Sequence, residues 1–242
     1  DMSVRTLYSY LDQGLFTARN IDLKRKVLFK PRKCHKTQIT DRAVFTNRLY
    51  RDFCSLALTS YVQMDTVHSS RESKKTLLTM FFTKEKLFLA FLMNRCTKGA
   101  VRLVFDRLEK RMGTYEFASV FEYILTDRGS EFGDPDALET GVNGIQRSSI
   151  YYCDPMQSGQ KGGLEQAHTM LRMILPKGTC FEFLTQWDIN LIVNHINSTP
   201  RESLGGRTPY SVALETLGEE VLNAFQLRPI APDEVNLTPK LI

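Results

Sequence analysis

Cysteine is scarce in this chain of 242 residues, and the number and spacing of the cysteines bear on whether disulfides or a structural metal stabilise the fold. The five cysteines are an odd number, and no two of them form a C-x-x-C pair. This pattern disfavours a disulfide framework and a structural zinc site, so we interpret the cysteines as reduced thiols of a cytosolic protein. The adjacent pair Cys34-His35 offers only part of the ligand set that zinc requires, so a solvated linker is the favoured interpretation there.

Long apolar runs are also missing. The longest one, from Leu87 to Met93, has the length of a buried strand and is too short to cross a bilayer. No signal peptide opens the chain. We therefore expect a cytoplasmic protein without a membrane partner. Asp1 precedes Met2 inside what looks like a helical unit, and we expect the chain to be a piece of a longer protein with domains upstream.

Charge of one sign is not in large excess, because 32 Lys and Arg face 27 Asp and Glu for a net charge of +5. The distribution of the basic residues is more informative, since eight of them lie between Arg19 and Lys36 beside a single acid. Charge alone favours a solvated linker for this run. Next to a site directed at DNA, the same run, with Lys24, Arg25 and Lys26, would be an arm that follows phosphates.

The periodicity of the apolar residues predicts an α/β domain. A short helix from Ser3 to Asp12, with Ser3 as its N-cap, precedes this domain. The predicted strands are Tyr61 to His68, Thr76 to Phe82, Leu87 to Met93, Phe121 to Asp127 and Ser149 to Tyr152, and the predicted helices run from Thr97 to Met112 and from Leu164 to Leu175. This order of elements predicts a mixed sheet flanked by helices.

Three acids stand out by their positions in these elements. Asp65 lies in the first strand, Asp127 ends the fourth, and Glu165 opens a helix after a glycine-rich loop. Carboxylates that converge at the strand ends of an open α/β sheet repel one another, and divalent cations such as Mg²⁺ or Mn²⁺ relieve that repulsion. With 27 acids in the chain, position alone does not decide the matter. No Ser-His-Asp or Cys-His signature is recognisable, which agrees with chemistry carried by acids.

Seven short segments resemble the bacterial insertion-sequence-thirty family of transposases, in the family's order. They are Met64-Asp-Thr-Val67, Lys75-Thr-Leu-Leu-Thr79, Asp127-Arg-Gly-Ser-Glu-Phe132, Tyr151-Tyr-Cys-Asp-Pro155, Ser158-Gly-Gln-Lys-Gly-Gly-Leu-Glu165, Leu175-Pro-Lys-Gly-Thr179 and His195-Ile-Asn197. Ser3 to Tyr8 resembles the end of the family's helix-turn-helix region, and Asn236 to Leu241 its C-terminal tail. The chain departs from the family at Arg128 and Gln166, where the family commonly has Asn.

The resemblance implies a ribonuclease-H-like fold and an acidic triad, which falls on Asp65, Asp127 and Glu165. It also implies two Mg²⁺ or Mn²⁺ ions held by these acids, double-stranded DNA as the partner, a homo-oligomer on that DNA, and a place at the bacterial nucleoid. Glu131 would then have a supporting role, in the second ligand shell or as a cap of the following turn.

Further basic side chains are candidates for contacts with DNA phosphates, each weighed against a purely structural or solvated role. They are Lys161, His168, Arg172, Lys177 and Arg201. The expected organisation is a helix-turn-helix remnant over 1–18, a basic linker over 19–56, an integrase-type catalytic domain over 57–215 and a tail over 216–242.

The expected function is metal-dependent cleavage and strand transfer at the inverted terminal repeats of an insertion sequence. A first alternative is a catalytically silent, transposase-derived DNA-binding protein. A second is a nuclease acting on RNA–DNA hybrids, which the Leu175–Thr179 and His195–Asn197 motifs disfavour.

Overall fold

A computed structural model describes residues 2–18 and 43–242, which belong to two separate compact units. In the first unit, α1 runs over Val4–Asp12, and the Ser3 hydroxyl accepts a hydrogen bond of 3.1 Å from the Thr6 amide. The predicted helix and its N-cap are therefore confirmed. The basic residues Lys24, Arg25 and Lys26 and the pair Cys34-His35 lie outside the described residues.

The second unit is built on a mixed sheet that has five strands within residues 43–242. They are β1 (Val62–His68), β2 (Thr76–Phe82), β3 (Leu87–Met93), β4 (Tyr123–Thr126) and β5 (Ser149–Tyr152), in the order β3-β2-β1-β4-β5. β1 pairs antiparallel with β2 and parallel with β4, β2 pairs antiparallel with β3, and β4 pairs parallel with β5. The predicted strands are confirmed, although β4 is shorter than the expected Phe121 to Asp127: a helix ends at Val120 with Phe121 as its C-cap, and the strand ends at Thr126.

Helices surround this sheet. They are α2 (Tyr50–Ser55), α3 (Lys98–Met112), α4 (Thr114–Val120), α5 (Pro135–Glu139), α6 (Gly162–Ile174), α7 (Gln186–Asn197), α8 (Pro209–Leu217) and α9 (Glu219–Ala224). Thr97 caps α3 as predicted, since its hydroxyl accepts from the Ala100 amide at 3.2 Å. The α/β fold class, a mixed sheet flanked by helices, is confirmed. Among the described helices, none combines the length and the hydropathy needed to cross a bilayer.

The edge strand β3 is covered by two amide side chains of α7. Asn197 accepts from the Phe88 amide at 2.9 Å and donates to the Phe88 carbonyl at 2.7 Å. Further along β3, the Gln186 side chain accepts from the Leu92 amide at 2.7 Å and donates to the Ala90 carbonyl at 3.1 Å. Both amides thus take the hydrogen bonds that another strand would make, which protects an apolar edge from pairing with a second sheet.

The predicted domain limits of 57 and 215 stay predictions, but apolar side chains on both sides of them join one core. Phe45 is 6% exposed and packs edge-on against Tyr152 with ring centroids 4.6 Å apart. Beyond residue 215, Val221 and Phe225 are buried in the same cluster. Residues 43–56 and the segment that includes α9 therefore belong to the compact unit of the sheet.

Candidate active site

The sheet brings Asp65 and Asp127 side by side. The parallel register pairs Val62 with Ile124 and Gln63 with Leu125. Continued by two residues, the same offset sets Asp65 level with Asp127, which directly follows β4. The predicted convergence of these two acids is thus a consequence of parallel pairing between neighbouring strands.

Each of the two aspartates is held in the same way. One carboxylate oxygen of Asp65 accepts from the Thr66 amide at 2.7 Å, and one of Asp127 accepts from the Gly129 amide at 2.9 Å. The second oxygen of both faces one cation, the Lys161 ammonium, whose Nζ lies 2.9 Å from Asp65 Oδ2 and 3.5 Å from Asp127 Oδ2. Backbone donors therefore orient both carboxylates, and a single positive charge joins them.

Lys161 is buried, with 5% of its surface exposed. Its ammonium also donates to the Met64 carbonyl at 3.3 Å, so three oxygens surround a group with three N–H donors. We expected a phosphate contact from Lys161. That role stays a prediction, and in this structure the side chain is engaged by the acids.

The start of α6 is fixed against the sheet, which positions Lys161 and Glu165. The Leu164 amide donates to the Gln63 side-chain oxygen at 2.9 Å. A Cβ on Gly163 would lie 2.4 Å from Phe81 Cε1, so a glycine is required at this close approach. Glu165 in the first turn of α6 is exposed, as a residue that reaches into solvent or toward a ligand would be.

All three predicted acids line one open cleft of about 340 Å³. Its other walls include Arg128, Cys153, Pro155, Met156 and Lys161. Within residues 2–18 and 43–242, no three acid, imidazole or thiol groups are close enough together to hold a metal ion as they stand. The donors nevertheless fit a hard divalent cation, because carboxylate oxygens are its preferred ligands and the aspartates already share one cation.

Glu131, for which we expected a supporting role, lies beside the aspartates. Its carboxylate accepts from the Thr66 hydroxyl at 2.8 Å, next to Asp65 in β1. A Cβ on Gly129 would lie 2.8 Å from Glu131 Oε2 and 3.0 Å from Asp127 Oδ1, so Gly129 permits the two acids to approach each other. Burial, and then the nearby Glu131 charge, raise the pKa of Cys96 to about 11.

His168 faces the sheet. The Thr79 hydroxyl donates to the Asp65 carbonyl at 3.1 Å, so it accepts from His168 Nε2, 2.8 Å away, and Nε2 carries a proton. Burial lowers the pKa of His168 below its ordinary value of 6.5, against the opposing effect of Asp65. Through the Thr79 hydroxyl, the side chain supports the backbone of β1 next to Asp65.

The other predicted phosphate contacts differ in their surroundings. Arg172 donates to the Leu175 carbonyl at 3.4 Å, and Arg201 donates to the Ile196 carbonyl at 3.2 Å and contacts the Met170 sulfur. Lys177 is exposed. Arg128, where the chain departs from the family pattern, lies over the Phe45 ring and donates to the Cys153 carbonyl at 3.3 Å. None of these contacts tests phosphate binding, which stays a prediction for His168, Arg172, Lys177 and Arg201.

Sequence comparison finds transposases among the relatives, although no family model matches the chain. The chain is 32% identical over 88 residues to the InsI transposase of insertion sequence element IS30A of Escherichia coli K12. The aligned residues make up 36% of this chain and 21% of that protein. The chain is 34% identical over 100 residues to the transposase of element IS1086 of Cupriavidus metallidurans, 41% of this chain and 28% of that protein. The alignments thus span between a fifth and about 28% of these relatives' length, and the resemblance predicted from the motifs is confirmed.

A longer alignment joins the chain to a putative integrase, ORF3, of Spiroplasma virus SpV1-R8A2 B. It is 24% identical over 204 residues and covers 83% of this chain and 60% of that protein. Among solved structures, the catalytic core of BIV integrase is similar with a TM-score of 0.44 and 24% identity over 64% of this chain and 94% of that one. The catalytic core of HTLV-2 integrase in complex with magnesium has a TM-score of 0.45 and 16% identity over 63% and 94%.

Proposed function

We propose that this chain is the catalytic part of a DNA transposase that cuts and rejoins DNA strands at the ends of an insertion sequence. The proposal rests on one observation: Asp65 and Asp127 lie side by side and share the Lys161 ammonium, in a cleft that Glu165 also lines. The names of the relatives supply the class of substrate, and the carboxylates supply the class of chemistry.

Asp65, Asp127 and Glu165 would hold two divalent ions, Mg²⁺ or Mn²⁺. When bound, such ions activate the attacking oxygen and stabilise the departing oxygen of a phosphodiester displaced in line. The chain's own contribution is orientation: the Thr66 and Gly129 amides fix one oxygen of each aspartate. The second oxygen, paired with Lys161 in this structure, would be the one that binds the metal.

Two displacements at phosphorus account for the whole reaction. In the first, the oxygen of water attacks at the element end and the 3′ oxygen of the element leaves as a hydroxyl. In the second, that hydroxyl attacks a phosphorus of target DNA, and the target's own 3′ oxygen leaves. Because one site performs both steps, the same carboxylates are required for both.

The partner we propose is double-stranded DNA, bound by a homo-oligomer because two element ends must be joined together. The exposed Lys177 follows α6 in the chain, so this helix and the segment after it combine Glu165 with a basic side chain. Phosphate neutralisation by such residues makes binding sensitive to salt.

The test is cleavage and joining of labelled DNA that carries the ends of the encoding element, with Mg²⁺, Mn²⁺ or EDTA. We expect joining in both metals, none in EDTA, and loss of both steps in Asp127→Asn. Asp154→Asn is the matched control, because Asp154 lines the same cleft but its carboxylate is bonded to Gln160 at 3.0 Å. Equal loss in both variants would point to the net charge of the cleft and would refute a specific role for Asp127. DNA binding without cleavage in the unaltered protein would favour the catalytically silent alternative.

A further inference from the structure

We propose that Lys161 is an internal counter-ion that competes with divalent cations for Asp65 and Asp127, so that cation binding and release of this lysine are coupled. The inference rests on the proposed function and deepens it, because it assigns the order in which the site is assembled. Cations bind first, and Lys161 becomes available to a DNA phosphate only afterwards.

The competition follows from the contacts of one ammonium group. Nζ lies within 3.5 Å of Asp65 Oδ2, Asp127 Oδ2 and the Met64 carbonyl oxygen. These two Oδ2 atoms are also the carboxylate oxygens that the backbone amides leave for a ligand. A cation bound by both aspartates would therefore meet the positive charge of Lys161 at short range, where like charges repel strongly in a partly buried site.

Burial explains why Lys161 is held in place as long as the aspartates have no other cation. A buried ammonium is costly unless it is paired and hydrogen-bonded, and here both of its negatively charged partners are aspartates of the candidate metal site, while the Met64 carbonyl is its third acceptor. With three acceptors for three donors, a phosphate contact requires the loss of at least one of them. The expected phosphate contact and the observed ion pairs are consequently two alternative states of one side chain.

The backbone that carries Lys161 does not need to move for this exchange. Lys161 is the N-cap residue of α6, and the helix start is tied to β1 and β2 by the Leu164–Gln63 hydrogen bond and the close approach of Gly163 to Phe81. The flexible four-carbon stem alone can carry the ammonium away from the aspartates into the cleft, which it already lines.

The experiment measures Mn²⁺ binding in the absence of DNA, from the electron paramagnetic resonance signal of free Mn²⁺. The variants are Lys161→Met and Lys161→Gln, with Lys177→Met as the control for removing an exposed positive charge. We expect both Lys161 variants to bind Mn²⁺ about tenfold or more tightly than the unaltered protein, and Lys177→Met to bind it almost unchanged.

Thermal unfolding gives a second readout on the same proteins. Without metal, the Lys161 variants should unfold at a lower temperature than the unaltered protein, because two neighbouring carboxylates lose their shared cation. Added Mn²⁺ should raise their unfolding temperature more than it raises that of the unaltered protein.

The outcomes separate this inference from the proposed function. Equal or weaker Mn²⁺ binding by both Lys161 variants, with normal binding by the unaltered protein, would overturn the counter-ion role and leave the metal-dependent function intact. Absence of Mn²⁺ binding from every variant and from the unaltered protein would overturn both.

Discussion

Replacement of Gly163 by alanine is the sharpest test of how α6 is fixed to the sheet. The new Cβ would lie 2.4 Å from Phe81 Cε1 and 3.2 Å from Gln63 Oε1. Carbon atoms in contact prefer a separation of at least about 3.5 Å, so the helix start or the buried Phe81 ring must yield by about 1 Å. The neighbouring Gly162 provides a matched control, since a Cβ there meets nothing within 4 Å.

The expected magnitude is the difference between a steric cost and a gain in helix propensity. Overpacking a core costs about 1–3 kcal/mol. Replacing glycine by alanine in a helix returns up to about 1 kcal/mol, and both variants receive that gain. We therefore expect Gly163→Ala to be less stable than Gly162→Ala by about 1–3 kcal/mol.

Thermal or urea unfolding measures this difference, and each kcal/mol corresponds to about 2–4 °C in Tm for a domain of this size. Strand joining should also fall in Gly163→Ala, because Lys161 and Glu165 move with the helix start, and it should be kept in Gly162→Ala. Equal stability and equal activity of the two variants would refute the argument that this close approach positions the site.

Three further predictions concern stability and reactivity. Arg147 is fully buried, with its guanidinium 2.7 Å from both Asp106 and Glu109, so Arg147→Ala should lower the free energy of unfolding by about 3–5 kcal/mol. The control Arg207→Ala removes a surface pair with Glu215 and should cost about 0–1 kcal/mol. Equal losses of stability in urea denaturation would contradict this prediction. Burial raises the pKa of the Cys153 thiol to about 12, so iodoacetamide at pH 8 should alkylate the exposed Cys54 well before Cys153. Mass spectrometry measures the order of labelling. The reverse order would show that Cys153 is accessible and would contradict this prediction. Burial lowers the pKa of His168 below 6.5, so the unfolded chain takes up the proton first and folding stability falls as the pH drops below about 6.5. The loss of stability between pH 7.5 and pH 5.5, measured by unfolding, should be smaller in His168→Gln than in the unaltered protein. An equal loss would refute the lowered pKa of His168.

The strands and the two aspartates could be predicted because their signals are local. β2 and β3 are runs of apolar residues with clear limits, and both were predicted with the bounds that the structure has. Asp127 follows an apolar strand, and parallel pairing of that strand with β1 is what brings it level with Asp65. The assignment of metal ligands to these residues stays a prediction.

The surroundings of Lys161 could not be predicted, because they depend on contacts between segments far apart in the chain. The position of Lys161 four residues before Glu165 indicates only a basic residue near a helix start. It does not reveal that the Asp65 and Asp127 carboxylates, in β1 and directly after β4, form ion pairs with this lysine. The same holds for α7: the Thr185–Asp188 capping box marks its start, but only the tertiary structure shows that Gln186 and Asn197 bind the edge of β3.

The most direct test of the central claim, that Asp127 binds a catalytic metal ion, is a change of ligand chemistry at this one position. Asp127→Cys replaces a hard oxygen ligand with a soft thiolate, which binds Mg²⁺ poorly and accepts Mn²⁺ better. Strand joining should be lost in Mg²⁺ and partly regained in Mn²⁺, while the unaltered protein joins strands in both. Full activity of Asp127→Cys in Mg²⁺, or joining by the unaltered protein in EDTA, would contradict the claim.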